Sequence, residues 1–380
     1  MKLIKRSLTV LICIFCVNMW TGAQTAFSAM SNYDLEHKIN ELNERLEKAE
    51  KTGVPGKLGE WLDCVTLSGA IELDYSYTDP RDVENKNSDS TSDLNIGAAE
   101  LGLEVCFHEY VTGNFILKGE NLDDDDRVFW DEATITIQKE GFPLYFVGGK
   151  RGQPFGVFES HLISDTITQD CYEIAKTGAT IGFVPGILGL DISATVYRGD
   201  TLIEHLDEAE VGADVVVPDN DDVSSFIANV TVEPAEGLFL SAYWDSEPGN
   251  DERNETLGGT AHYEFWKVAL DAEYIGAKKR EKIAGEEHKE SAWFAAAAFQ
   301  VTDPLEIAVR YGAFNYDLDG DQDGHLENRY SVGVSYILFE KNDFATTLML
   351  EYRKSNYENE TGVTVEDAVN EVFAKLAIEF

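Results

Sequence analysis

Basic residues are scarce in this chain of 380: 30 Lys and Arg stand against 70 Asp and Glu, a formal net charge of −40. Nucleic acids and anionic membrane surfaces are bound through clustered Lys and Arg, so the composition argues against both as partners. Methionine (4) and proline (9) are also few. The seven histidines are scattered, with no HxxH and no Ser-His-Asp spacing, so no enzyme is expected. After the first 30 positions no run of about 20 apolar residues occurs, which excludes a membrane-spanning helix there. That absence leaves a β-barrel open, because barrels cross a bilayer with short alternating segments. What the chain does hold is 43% hydrophobic residues with 31 Gly, 20 Phe and 16 Tyr. This is enough apolar matter to fold, with a bias toward strands and turns.

The first 28 positions read as an export signal. Lys2, Lys5 and Arg6 precede an apolar stretch from Leu8 to Val17, and Ala26-Phe27-Ser28 offers small residues around a cleavage point; Thr21-Gly22-Ala23 is a second option. Positions 29–52 read as a short helix. Leu35, Ile39, Leu42, Leu46 and Ala49 follow heptad spacing, Asp34 stands at the start, and Gly53-Val54-Pro55-Gly56 ends it. The run is short for a coiled coil, so an oligomerisation helix and a lone amphipathic helix both remain open. A linker over 53–60 follows.

From position 61 to 380 the period is two. In 65–77 the odd positions are apolar or aromatic and the even ones small or charged, as in Leu67, Ile71, Leu73 and Tyr75 against Ser68, Glu72 and Asp74. Sixteen such segments run near 65–78, 92–108, 110–121, 128–138, 143–151, 171–182, 188–199, 222–233, 237–246, 255–266, 267–278, 289–301, 304–315, 326–338, 343–354 and 365–380. Connections after odd-numbered segments are long and acidic, and those after even-numbered ones are tight. An even strand number with loop lengths segregated to two sides is the pattern of an all-β, closed outer-membrane barrel of about sixteen antiparallel strands. A soluble β-sandwich would have shorter strands and no reason for that segregation. Val372, Ala374, Leu376, Ile378 and Phe380 alternate to the last position, as a strand that closes the cylinder against the first segment must. The expected location is the outer membrane of a Gram-negative bacterium, with outer-membrane lipid and lipopolysaccharide around the wall.

The order of export signal, short helix, proline–glycine break and "WLDCVTLSGAIELDYSY" resembles the LbtU-type siderophore porins. So do "DEATITI", "PLYFVGGKRGQPFGVFESHLISDTITQD" and the closing "AKLAIEF". The similarity extends over essentially all of the chain after the signal and is most specific from Phe155 to Asp165. It implies an outer-membrane barrel that imports ferric siderophore without a plug domain. A general diffusion porin and a structural or adhesive barrel are the alternatives, and a homo-oligomer fits all three.

Read from the residues alone, the third long connection (152–170) is a candidate constriction, because long structured loops usually carry function. Lys150 and Arg151 form a basic pair at its entrance. Gln153, Phe155, Glu159, His161 and Asp165 complete the set expected to line the solute path. Other inward positions are mixed in sign: Glu72, Asp74, Glu100, Glu104, Lys118, Glu132, Asp271, Glu273, Arg310, Glu351 and Arg353. No ladder of basic residues suggests a phosphate-selective pore.

No cofactor is expected, with one exception to weigh. Asp319, Asp321 and Asp323 before Gly324 begin like a calcium loop, with Glu327 as a further ligand, but Tyr330 stands where the bidentate Glu belongs. A solvated acidic loop is the competing reading. Beyond the signal only Cys64, Cys106 and Cys171 remain. A first hairpin with its loop near 78–92 sets Cys64 opposite Cys106, within disulfide reach, and two free thiols are the alternative.

Overall fold

The computed structural model describes residues 64–81, 90–120, 122, 127–199, 201–209, 211, 213, 215–218, 222–283, 285, 287–317, 325–341, 343–358 and 367–380. The export signal, the short helix, the linker and Asp319, Asp321 and Asp323 lie outside these residues.

Sixteen strands follow one another: β1 (Val65–Arg81), β2 (Thr91–His108), β3 (Val111–Glu120), β4 (Arg127–Gln138), β5 (Leu144–Gly152), β6 (Ala175–Phe183), β7 (Asp191–Tyr197) and β8 (Ser225–Ala235) form the first half. The second half is β9 (Leu238–Glu247), β10 (Asn254–Phe265), β11 (Val268–Lys279), β12 (Glu290–Thr302), β13 (Leu305–Tyr316), β14 (Leu326–Lys341), β15 (Phe344–Tyr357) and β16 (Asp367–Glu379). Each pairs antiparallel with its neighbours in sequence, and β16 pairs with β1, so the sheet is a closed barrel. Closure satisfies every strand edge, which a bilayer demands because it offers no water to unpaired backbone groups.

The seam shows how closely the ends fit. Gly69 and Phe380 exchange both backbone hydrogen bonds at 3.0 Å. A Cβ on Gly69 would stand 2.6 Å from the Phe380 ring, so glycine makes room for the terminal aromatic side chain.

Alternation decides what each face contains. Along β13, Ile307 and Val309 are exposed outward, while Ala308 and Arg310 are buried inward. Leu348, Leu350 and Tyr352 of β15 and Tyr330 and Val332 of β14 continue the same apolar outer face. Trp293, Tyr311 and Tyr330 stand side by side on it with tilted rings, centroids 5.3 and 4.9 Å apart, as aromatic girdles do at a membrane boundary. Among the described residues no helix is long and apolar enough to cross a membrane.

Two details differ from the sequence reading. Strand six begins at Ala175 rather than 171, because Ile167–Tyr172 is a helix, α1, whose Thr166 hydroxyl caps the Gln169 N–H at 3.1 Å. Cys171 therefore lies in α1 and not at the end of a strand. A second helix, α2 (Thr201–Glu208), occupies part of the 200–221 connection that reads from sequence as an acidic loop.

Candidate functional site: a loop anchored across the barrel

The connection from β5 to β6 turns inward. Phe155 is fully buried and meets Tyr243 of β9 edge-on at 5.0 Å. Ile167, Cys171, Tyr172 and Ile174 join an apolar cluster with Ile275, Phe294 and Phe314, all inward positions of β11 to β13. Full burial of each large apolar side chain contributes about 1.5–3 kcal/mol, so this segment is packed rather than solvated. Inward glycines make space for it. A Cβ on Gly312 of β13 would lie 2.9 Å from Ile167, and one on Gly333 of β14 would lie 2.5 Å from Leu162.

Polar groups of the far wall then fix the loop. Arg310 of β13 spreads its guanidinium over it: Nη1 donates to Ser160 Oγ at 2.8 Å, and Nη2 donates to the Ser164 carbonyl at 2.9 Å and the Asp165 carbonyl at 2.8 Å. Glu351 of β15 accepts from Ser164 N and Ser164 Oγ at 2.7 and 2.6 Å. Glu273 of β11 accepts from Val157 N at 2.8 Å and Thr168 Oγ1 at 2.6 Å. Tyr172 OH donates to Glu290 of β12, and Asp170 pairs with Arg329 of β14. Five strands opposite the loop's origin, β11 to β15, thus hold it across the lumen.

His161 is gripped from two sides. Its ring nitrogens lie 3.1 Å from Asp271 Oδ2 and 3.1 Å from Glu306 Oε1, and Asp271 Oδ1 also meets His262 Nδ1. Burial would lower the imidazole, but the hydrogen bonds to Asp271 and Glu306 outweigh it and raise His161 to about 10. Burial, reinforced by Asp170 and Glu173, lifts Asp165 to about 7 against the pull of Arg310. Burial and the nearby Asp271 raise Glu159, with His161 and His262 opposing.

The expected set therefore divides. Phe155, His161 and Asp165 lie together in the anchored loop, and Glu159 stands in the field of Asp271. Gln153 is buried at the loop's root, where its amide donates to the carbonyls of Arg151 and Lys176. Arg151 faces inward, and its Nη2 donates to Thr180 Oγ1 at 2.9 Å. Lys150 corrects the expectation of a basic pair in the lumen. It pairs with Ala133 on the alternate face of β5 and donates Nζ to the Trp130 carbonyl at 2.7 Å. Two consecutive strand residues point to opposite faces, so both could not line the path.

Reading the sequence placed Arg310, Glu351, Asp271 and Glu273 in the lumen but missed that they anchor the loop. Their signal was a charged residue at an inward position between lipid-facing ones. Elsewhere the wall pairs its own charges: Lys375 with Glu72, Arg353 with Glu371, and Lys118 with Glu120. Glu327 is the second residue of β14, and its partner candidates for calcium lie outside the described residues. Among the described residues no group of three or more His, Cys, Asp or Glu is arranged to hold a metal ion. The β1–β2 register pairs Val65 with Val105, and Cys106 N donates to the Cys64 carbonyl at 2.9 Å; both side chains are free thiols.

Residues 63–360 match the family model described as Gram-negative porin. The chain belongs to this family. It is accordingly an outer-membrane channel for small solutes. No curated protein matches the chain. Among solved structures, the porin resembles the anion-selective porin from Comamonas acidovorans, with 13% identity, 83% of this chain and 99% of that one covered, and a TM-score of 0.58. The outer membrane channel DcaP of Acinetobacter baumannii is similar at 14% identity, with 83% and 97% covered and a TM-score of 0.60. The trimer form of OmpT from Vibrio cholerae is similar at 11% identity, with 84% and 100% covered and a TM-score of 0.54. At these identities the likeness is one of fold.

Proposed function

We propose that this porin is a selective channel rather than a general diffusion pore, and that ferric siderophore is its cargo. The observation that carries selectivity is the anchored loop: Arg310, Glu351, Glu273 and His161 hold it across the lumen through hydrogen bonds to buried groups, which leaves a path of fixed shape. The cargo rests on the resemblance of Phe155 to Asp165 and its flanking segments to the LbtU-type siderophore porins. Charge narrows it further. Glu72, Asp74, Glu100, Glu132 and Glu371 outnumber Lys118, Arg353 and Lys375 on the wall formed by β15, β16 and β1 to β4. The Comamonas protein is anion-selective; a wall with this balance favours neutral or cationic ferric chelates instead. The trimer form of the Vibrio protein supports a homo-oligomer of this chain as well.

Liposome swelling tests the reading. Neutral sugars of graded size should enter slowly, and an iron-loaded cationic hydroxamate should enter faster than sugars of its size. Sugars entering without regard to size up to that of the chelate would establish the general diffusion porin instead. Growth on the ferric chelate, with and without this protein, in a host lacking other receptors then decides the cargo.

A further inference from the structure

Helix α2, in the β7–β8 connection, is a second element folded into the barrel. Leu202, Ile203 and Leu206 of α2 are at most 1% exposed and pack in the same apolar cluster as α1. The helix start is met by a carboxylate of the wall. Leu202 N and Ile203 N donate to Glu247 Oε1 and Oε2 at 2.8 and 3.0 Å. Tyr197 OH donates to the same Glu247 Oε1 at 2.6 Å and to Asp245 Oδ2 at 2.6 Å. Glu247 is itself fully buried. Burying a carboxylate is costly unless its oxygens are hydrogen-bonded, and the two N–H groups at the start of α2 supply part of that hydrogen bonding.

The connection also reaches the opposite side. Leu326 N, at the first residue of β14, donates to the Val211 carbonyl at 3.2 Å. β7 and β14 are seven steps apart in a ring of sixteen, close to diametrically opposed. The β5–β6 loop meets β14 deeper, where Leu162 lies against Gly333. His205 of α2 lies 3.1 Å from the Gln169 carbonyl of α1, joining the two levels.

We propose that α2, with Val211 behind it, is a roof over the constriction, and that Glu247 is the positioning residue that holds it in the mouth. The size limit for solutes is then set by two tiers in series. The proposal rests on the chain being a channel and is independent of its cargo.

Cys171 provides a reporter, because it is fully buried in the cluster that α2 completes. In full-length protein carrying Cys64→Ser and Cys106→Ser, a maleimide should modify Cys171 slowly, as followed by mass on the tryptic peptide that contains it. Adding Glu247→Gln sets an amide N–H₂ toward backbone donors, and labelling should accelerate at least tenfold. The same variant should admit larger sugars into liposomes while its heat-modifiable gel migration shows an intact barrel. Replacing 201–218 by a short Gly-Ser turn should raise the single-channel conductance and the sugar cut-off further. Unchanged labelling and cut-off in folded Glu247→Gln overturn the roof. If that variant does not fold, an unchanged cut-off in the loop replacement overturns it. Arg310→Met, which touches the lower tier, separates failure here from failure of the constriction.

Discussion

Arg310→Met is the perturbation that most directly tests the anchored loop. Methionine keeps the length and apolar stem of the side chain but removes the guanidinium that donates to Ser160 Oγ, the Ser164 carbonyl and the Asp165 carbonyl at 2.8–2.9 Å. Hydrogen bonds from a charged donor are worth about 1.5–3 kcal/mol each, though bonds sharing one guanidinium do not add. Arg310 also stands 3.9 Å from Glu351, whose side chain is fully buried. Removing one partner of a buried pair costs about 3–5 kcal/mol, because the remaining charge is left uncompensated. At about 1.4 kcal/mol per factor of ten, the ratio of detached to anchored loop should rise by about two to three and a half orders of magnitude. The barrel should survive, since the backbone of Arg310 stays paired with Ala296 and Ser331. In planar bilayers the variant should show larger or flickering conductance levels absent from the native channel, and larger sugars should enter liposomes. Arg310→Lys, which keeps charge without the fork, should fall between the two. Unaltered conductance, ion selectivity and size limit in a folded Arg310→Met barrel would refute the anchoring argument.

Raising the pH should loosen the same loop in two steps. Asp165 is lifted from its ordinary 3.8 to about 7, so its contribution is complete below 3.8 and is lost as pH rises to 7; His161 contributes fully below 6.5 and loses its contribution as pH rises to about 10. Bilayer recordings should therefore show loop openings rising between pH 4 and 7 and again between 7 and 10, and Asp165→Asn should abolish the first rise. Arg151→Ala should shift the reversal potential in a salt gradient, whereas Lys150→Ala, on the alternate face of β5, should leave it unchanged; equal effects would mean that the register is misread. Mass spectrometry of unreduced tryptic peptides from protein exposed to an oxidant should find Cys64 linked to Cys106, because hydrogen-bonded antiparallel partners hold Cα atoms about 5.5 Å apart, within disulfide range, and Cys171 should remain unlinked. Gly69→Leu should impair closure of β1 on β16, read as loss of heat-modifiable migration, since its side chain would occupy the space of the Phe380 ring.

The barrel was legible because a lipid-facing wall leaves each strand little freedom. Outward residues such as Ile307 and Val309 must dissolve in hydrocarbon, and the residues between them face the lumen, so a period of two recurs in segment after segment. Register was legible for the same reason: one tight or long connection per hairpin, combined with parity, set Cys64 against Cys106 and closed the last strand on the first. The errors arose where that constraint lapses. The segment from Thr166 to Tyr172 lies inside the barrel, touches no lipid and forms a helix on a local cap. Its two apolar residues at 171 and 172 were therefore attributed to strand six. Lys150 was assigned to the lumen by treating a basic pair as one feature, against the alternation that governed every other position.

The site itself was legible only by half. Parity alone identified Arg310, Glu351, Asp271 and Glu273 as inward charges in a wall that otherwise pairs its charges locally. What parity could not supply is the partner, because Ser164 and Glu351 are separated by 187 positions and meet only through the path of the loop across the lumen. An inward charge has three fates in such a barrel: pairing along the wall, as Lys375 does with Glu72, exposure to the solute, or capture by an in-folded loop. The third becomes recognisable when the loop carries short hydroxyl and backbone groups that complement the charge, as Ser160, Ser164 and Thr168 do here. The same logic applies to Glu247. It accepts from Tyr197 OH and lies in the field of Arg280, and the backbone N–H groups of α2 add two further donors from the in-folded connection.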